Sequence, residues 1–373
     1  MLEVQKFLMG ATRVQSNERA LESLKEQTGI KASIWEDKLV VLNYCQIESK
    51  KTCAMAQECR SLVLELGSWK IVSRSFNRFF NYGEEPCPAI DIQYMTAFEK
   101  MDGSLIGLFE YDGEWMYRTR SVIMPVSGIN GWEVTWKSHI EQALGHLYML
   151  KGGEVVLNPR YTYIMEMTSP ENRVVTKYAS PSPQMTLLAS RHNEKGHYNP
   201  LDVNGGVAHH QGWGMPKAYS FDTISDCLTA AKELRDLQEG YVLYDRHGVP
   251  VCKLKNPAYV AAHHLRGEGL NPKRIKDLII MNEVSEYLAI FPEDRKMFEP
   301  YMDAYRDLGL ALFEYLDLSY DTDLTQKEFA LKIAHLPFKG VLFTLRKDRL
   351  GVTDAWKKCT TNTKYQLIDG MMK

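Results

Sequence analysis

A lysine, an aspartate and a glycine stand together at Lys100-Met101-Asp102-Gly103-Ser104, between two strand-like runs. A lysine amine is a nucleophile once it has lost its proton, and Gly103 lets the backbone turn sharply and lie close to a bound molecule. Lys253 and Lys255 are spaced to share one face of a strand. Side by side, two ammonium groups repel unless a phosphate or an acidic group lies between them. Glu166 falls in the otherwise apolar run Tyr163-Ile164-Met165-Glu166-Met167, where a carboxylate is costly without a cation, a hydroxyl or a metal. Guanidinium groups come from Arg60, from Arg78 beside Phe79-Phe80, and from Arg118-Thr119-Arg120; Glu239-Gly240 adds a second carboxylate. Singly, these are a surface lysine before a turn, a solvated strand face and a buried ion pair, for instance Glu166 with Arg173. Together they are the parts of a site that could hold and react with a phosphate-bearing ligand.

The elements that must position them are short. Residues 2–27 have the spacing of an amphipathic helix. Strands are expected over Lys38–Cys45, Arg60–Glu65, Trp69–Arg74, Ile90–Phe98, Leu105–Tyr111 and Glu114–Thr119, the last two joined at Asp112-Gly113. A helix is expected over Trp132–Leu150 and another near Thr223–Leu237. Further strands are expected over Tyr161–Met167, Arg173–Tyr178, Gln184–Ser190, Gly240–Tyr244 and Val249–Lys255. Beyond Asn256 helical periods dominate, in Leu278–Ile290, Met297–Leu316 and Gln326–Leu336. The expected class is therefore α+β, with antiparallel sheets in a domain of residues 1–256 and an all-helical domain of residues 257–373. Trp132, Trp136, Phe298 and Phe313 read as core or interface aromatics.

Composition narrows the setting. A chain of 373 residues, 45% hydrophobic and 25% charged, is globular and long enough for two domains. No apolar run approaches the ~18–20 residues of a membrane span, and Met1-Leu2-Glu3-Val4-Gln5-Lys6 lacks the pattern of a signal peptide. Seven cysteines with no Cys-x-x-Cys argue against a disulfide scaffold and for a reducing, cytoplasmic compartment. The net charge of −2 gives no global pull toward polyanions, but a local basic groove would suffice to bind RNA.

In order and rough separation, the six stretches resemble the motif series of the ATP-dependent RNA ligases of the T-even bacteriophage RNA ligase 1 family, covalent nucleotidyltransferases that join RNA ends. The likeness covers roughly residues 40–260. It implies that Lys100 becomes adenylylated and that Arg60 and Arg78 contact nucleotide and triphosphate. Phe80 is the implied aromatic of the site, Glu166 the acidic residue on the ribose or near the metal, and Glu239 the carboxylate associated with metal. Lys253 and Lys255 fall on the α-phosphate, and Arg120 and Tyr259 also line the ATP site. It further implies ATP with Mg²⁺ or Mn²⁺, joining of 5′-phosphate to 3′-hydroxyl ends, and single-stranded RNA such as a nicked tRNA as partner. A monomer in the cytoplasm of an infected bacterial host is expected. Attack by Lys100 requires a neutral amine, and Lys253, Lys255 and the metal are expected to depress its ordinary pKa of about 10.4. Arg78 and Arg120 depart from the lysines usual in the family, and Ser61 from a glycine.

The rivals are a DNA ligase or mRNA-capping guanylyltransferase, whose C-terminal OB-fold would give alternating patterns after residue 256, and a non-catalytic RNA-binding protein. Within the helical part, residues 283–323 hold eleven acidic against three basic residues, and residues 339–373 hold eight basic against three acidic. The basic tail, with Arg346, Lys347, Arg349, Lys357, Lys358, Lys364, Trp356 and Tyr365, could track an RNA backbone or simply be solvated.

Overall fold

Alternation of apolar and polar residues is strongest in the first 255 residues, and all thirteen strands among the described residues lie there. In chain order these are β1 (Lys31–Trp35), β2 (Leu39–Asn43), β3 (Arg60–Glu65), β4 (Ile71–Ser73), β5 (Phe80–Asn81), β6 (Met95–Glu99) and β7 (Ser104–Tyr111). After them come β8 (Glu114–Arg118), β9 (Tyr161–Thr168), β10 (Gln184–His192), β11 (Ala218–Tyr219), β12 (Gly240–Asp245) and β13 (Pro250–Lys255). The structure, a computed structural model, describes residues 1–129, 132–145, 147, 157–267 and 269–372. They divide into two units, Met1–His263 and His264–Lys373, the division falling inside the helix Pro257–Arg266.

The first unit holds three sheets. The first runs β1-β2-β3-β4 and the second β10-β9-β7-β8, both antiparallel throughout. The third runs β11-β6-β12-β13-β5, antiparallel except that β5 lies parallel to β13. Strand periodicity explains the packing. On β2 and β3, Val40, Leu42, Leu62 and Leu64 face the N-terminal helices, whereas Leu39, Val41 and Val63 face Phe109 and Met116 of the second sheet. Phe98, Ile164, Ala189, Val242 and Tyr244 join the second sheet to the third. Each such large side chain contributes about 1.5–3 kcal/mol when buried, which is what holds three sheets around one site.

Several expectations need correction. The amphipathic run of residues 2–27 is two helices, Glu3–Ala11 and Asn17–Thr28. The Thr12 hydroxyl donates back to the Leu8 carbonyl, and Ser16 caps the second helix by accepting from the Arg19 N–H. The helix expected over Trp132–Leu150 spans Trp136–Leu144, begun by the Thr135/Ser138 capping box; residues 146 and 148–150 lie outside the described residues. Arg173–Tyr178 is not a strand, because the Asp102 carboxylate takes the N–H groups of Val175 and Thr176. Of the supposed core aromatics Phe298 is buried, but Phe313 is 70% and Trp132 56% exposed.

The second unit is helical throughout its described residues, with Pro272–Met281, Val284–Ile290, Arg295–Glu314 and Gln326–Ile333 followed by Lys339–Asp348, Val352–Lys358 and Thr361–Met371. Its core gathers Leu308, Leu312, Phe329, Ile333, Leu342 and Leu345. The helical period of Leu278–Ile290 is broken at Asn282, whose φ of 60° caps one helix before the next begins. No strand occurs there among the described residues, which removes the five-stranded barrel that the rival ligases and capping enzymes would require. No helix among the described residues is long and apolar enough to cross a membrane. The fold is α+β, antiparallel sheets first and helices second.

Candidate active site

Lys100 follows directly on β6, and its N–H donates to the Gly240 carbonyl at 2.9 Å. This ties the nucleophile segment to the start of β12, where Glu239 stands. Lys100 Nζ lies 2.7 Å from Glu239 Oε2, and Lys255 Nζ lies 2.8 Å from Glu239 Oε1. Only 4% of the Glu239 side chain is exposed, so one buried carboxylate serves two lysines. Gly240 permits the close approach: its φ is 140°, and a Cβ there would meet the Leu254 carbonyl oxygen at 2.0 Å.

Alternation on β13 turns Cys252 and Leu254 into the core and Lys253 and Lys255 outward to a cavity of about 220 Å³. Arg60, Lys100, Arg120, Glu166, Lys253 and Lys255 all line this cavity. Arg78, Phe80 and Tyr259 are not among its lining residues. Phe80 pairs with Cys252 and is buried, and since successive strand residues face opposite ways it is Phe79 that reaches the wall. The aromatic expected at Phe80 is therefore displaced by one position. Phe79 carries Arg60 over its ring at 5.2 Å and Lys253 at 4.9 Å.

The electrostatics separate the lysines. Burial alone would lower the pKa of Lys100, but Glu239, Glu166 and Asp102 outweigh it and hold the amine above its ordinary value. The expected depression is found instead at Lys253, which burial and the charges of Arg60, Lys100 and Lys255 push down to about 7. Glu166 is pushed up to about 7, by burial first and by Glu239 and Asp102 as well, against the pull of Lys100 and Arg60. Glu239 moves the other way, held below the ordinary carboxylate value because its two lysines outweigh its burial.

Asp102 does not face the cavity. Its Oδ2 accepts from the N–H groups of Val175 and Thr176 at 2.8 and 2.7 Å, and its Oδ1 from the Tyr259 hydroxyl at 2.6 Å. The Asp102 N–H in turn donates to Tyr178 Oη at 2.8 Å. Tyr259, expected to line the ATP site, thus acts from behind it by holding the aspartate that follows the nucleophile. Gly103 N–H donates to Glu166 Oε1 at 3.1 Å. A Cβ on Gly103 would meet the Met167 carbonyl oxygen at 2.2 Å, so the glycine is needed for close approach to β9 and not for a left-handed turn.

The departures noted in the sequence also find places. Ser61 has a φ of 57°, a conformation that favours glycine, and it is held by its N–H to Asn43 Oδ1 and its hydroxyl to the Arg120 carbonyl. Arg78 donates to the Ser49 carbonyl at 3.3 Å. Its guanidinium lies 4.1 Å over the Tyr44 ring, and that of Arg120 lies 5.0 Å over the same ring. Sequence reasoning missed Tyr44, Tyr178 and the Val175–Thr176 backbone; only the position of Phe79 beside Phe80 offered a signal.

For a divalent ion the donor set is sparse: no cluster of three or more His, Cys, Asp or Glu occurs among the described residues. Glu166 lines the cavity and Glu239 is buried with its two oxygens on Lys100 and Lys255, a pair of carboxylates of the number that Mg²⁺ commonly takes together with substrate phosphates and water.

The family model described as RNA ligase matches residues 58–259, more than half of the chain, and the chain belongs to that family. It is 31% identical over 353 residues to a protein of Autographa californica nuclear polyhedrosis virus named as a bifunctional polynucleotide kinase/RNA ligase. That match takes in 91% of this chain but half the length of the relative. An RNA ligase of Rhodothermus phage RM378 is 25% identical, covering 83% of this chain and 81% of its own. Among solved structures, an archaeal ATP-dependent RNA ligase aligns over 66% of each chain with a TM-score of 0.46 and 15% identity.

Proposed function

We propose that this protein is an ATP-dependent RNA ligase that joins 5′-phosphate to 3′-hydroxyl RNA ends through a lysyl-AMP and an RNA-adenylate. The observation that carries the reading is Lys100: an amine at a cavity wall, 2.7 Å from a buried carboxylate, in a cavity also lined by Arg60, Arg120, Lys253 and Lys255, of which only Lys255 has an ion pair among the described residues. In the first transfer the neutral Lys100 amine attacks the α-phosphorus of ATP. A nitrogen–phosphorus bond forms as the bond to pyrophosphate breaks, and the amine proton passes to solvent. Lys253 and Lys255 then stabilise charge on the α-phosphate oxygens, and Arg60 with Arg78 and Arg120 holds the departing pyrophosphate. Glu166 accepts from the ribose hydroxyls. A bound Mg²⁺ or Mn²⁺ would neutralise phosphate charge, with Glu239 and Glu166 as its protein oxygens.

The free site favours the Lys100 ammonium, so the amine must lose a proton to solvent, and with it the ion pair to Glu239, before attack. In the second transfer an oxygen of the RNA 5′-phosphate takes AMP from Lys100. In the third, a 3′-hydroxyl attacks that activated end and AMP leaves. On this reading the helical unit selects the RNA, with broken single-stranded ends such as those of a nicked tRNA as substrate, and the enzyme acts as a monomer in the cytoplasm of an infected host.

The test is covalent labelling. Incubation with α-labelled ATP and a divalent metal should give an acid-labile, base-stable band, labelled GTP should not, and Lys100→Ala should lose the band while folding normally. AMP mapped to any other lysine would end the assignment. A band with GTP and none with ATP would favour the capping chemistry.

A further inference from the structure

The three arginines assigned to the triphosphate share a feature that ordinary ion-pair chemistry does not explain. Arg60 lies over Phe79 at 5.2 Å and Phe76 at 5.9 Å; Arg78 lies over Tyr44 at 4.1 Å and Phe80 at 5.6 Å; Arg120 lies over Tyr44 at 5.0 Å. Each is held by the face of an aromatic ring, and among the described residues none forms an ion pair with a carboxylate. A stacked guanidinium is oriented without being neutralised, and its N–H edges stay available to an incoming anion. A carboxylate would orient it equally well but would occupy those edges.

Tyr44 is the centre of this arrangement. It follows β2, and its own N–H donates to the Cys59 carbonyl at 2.7 Å, which fixes it next to the start of β3 and Arg60. Backbone bonds bring the two arginines to it: Arg78 N–H donates to the Gln57 carbonyl, and the Arg120 carbonyl accepts from Asn43 Nδ2 and Ser61 Oγ. Two like charges gathered on one ring, with no carboxylate between them, repel each other unless a polyanion arrives. The same ring accounts for the two departures from the family pattern. A planar guanidinium stacks on tyrosine, and the compact ammonium of lysine does so less well, so arginine at 78 and arginine at 120 go together with Tyr44.

We propose that Tyr44 is a positioning residue for the triphosphate, holding Arg78 and Arg120 on one ring so that the guanidinium N–H groups of Arg120, and those of Arg78 not given to the Ser49 carbonyl, are left for the β- and γ-phosphates. This rests on the reading of the cavity as an ATP site. Tyr44 acts through the arginines, so its removal should show in nucleotide affinity more than in the chemical step.

The experiment measures lysyl-AMP formation in the full chain, with KM for ATP and kcat determined separately, and binding of ATP against AMP. Tyr44→Leu should raise KM for ATP about tenfold, the size of two half-exposed cation–π contacts, with a much smaller effect on kcat. Its preference for ATP over AMP should shrink, because AMP lacks the phosphates the arginines hold. Tyr44→Phe keeps the ring and should restore most of the loss. Arg78→Lys and Arg120→Lys should each weaken ATP binding in the native background and cost little more once Tyr44 is leucine. An unchanged ATP:AMP ratio in Tyr44→Leu, no rescue by phenylalanine, or fully additive losses would overturn the proposal. Should Tyr44→Leu fail to fold, the phenylalanine variant combined with each lysine variant decides: with the ring kept, the lysine losses must persist. If the native chain itself forms no lysyl-AMP and binds ATP no better than AMP, the ligase reading fails, and that failure is distinct from a failure of Tyr44 alone.

Discussion

Apart from Lys100 and Lys255, which share Glu239, the cations at or beside the cavity lack a carboxylate partner among the described residues, whereas three lysines of the helical unit have one. Around the cavity Arg60, Arg78, Arg120 and Lys253 rest on aromatic faces and form no ion pair among the described residues. In the helical unit Lys276 meets Asp369 at 2.6 Å, Lys357 meets Asp354 at 3.2 Å and Lys358 meets Asp348 at 2.6 Å. Arg346 donates to the carbonyls of Asp321 and Leu324, and the aromatics of the basic tail are engaged as well, Trp356 against Tyr305 and Tyr365 Oη donating to Asp277. Charge left unneutralised at a partly buried wall is a cost to stability that an anionic ligand relieves. Charge already matched by neighbours gives no such signal, however basic the segment looks in sequence.

Lys253 offers the largest break of this contrast. Its folded pKa of about 7 lies below its ordinary value of 10.5, so between those limits the unfolded chain binds more protons. Stability should therefore rise with pH from about 7 toward 10.5, with the full penalty present below 7. Lys253→Met should flatten that slope and raise Tm at pH 7 by ~2–4 °C, while lysyl-AMP formation falls to background. Thermal melts across pH 6–10 and ATP labelling check both halves. A lower Tm at pH 7 would mean that the cation stabilises the fold rather than straining it.

Two buried tyrosines permit a sharper comparison. Tyr259 donates to Asp102 in the first unit and Tyr287 donates to Asp294 in the second, at 2.6 and 2.7 Å. Replacing either by phenylalanine leaves a carboxylate oxygen short of a donor, at a cost of about 1–3 kcal/mol in urea unfolding. Only Tyr259→Phe should also slow lysyl-AMP formation, several-fold, because only Asp102 follows the nucleophile. Equal effects of both on adenylylation would show that global destabilisation explains the loss.

The smallest effect is expected in the basic tail. Lys357 and Lys358 sit in exposed ion pairs of the kind worth about 0–1 kcal/mol, so RNA phosphates could still compete for them. Neutralising Lys357, Lys358 and Lys364 together should leave Tm nearly unchanged and weaken RNA binding modestly. The salt slope should flatten by about 0.7 for every single-strand phosphate that is no longer neutralised. An unchanged slope would leave the helical unit without this electrostatic role.

What the sequence determined by itself was whatever local periodicity controls. Lys253 and Lys255 share a face because strands alternate, β3 spans Arg60–Glu65 as its residues suggested, and the change from strands to helices after residue 256 was visible as a change of period. The grouping of Lys100 with Glu166, Glu239 and the two lysines was legible too, but only because their types and order form a motif series. Tertiary structure decided the rest. Arg173–Tyr178 has the composition of a strand, yet Asp102, more than seventy residues earlier, takes two of its N–H groups. One residue of strand register exchanged Phe80 for Phe79 at the cavity. The sign of the Lys100 shift depended on which charges the sheets brought within reach, and those were carboxylates. Tyr44 carried no signal at all, because a ring becomes a platform for arginines only when segments near residues 44, 78 and 120 meet. Hydrogen-bond partners, register and fields act through space, and spacing along the chain records them only where the contacts are local.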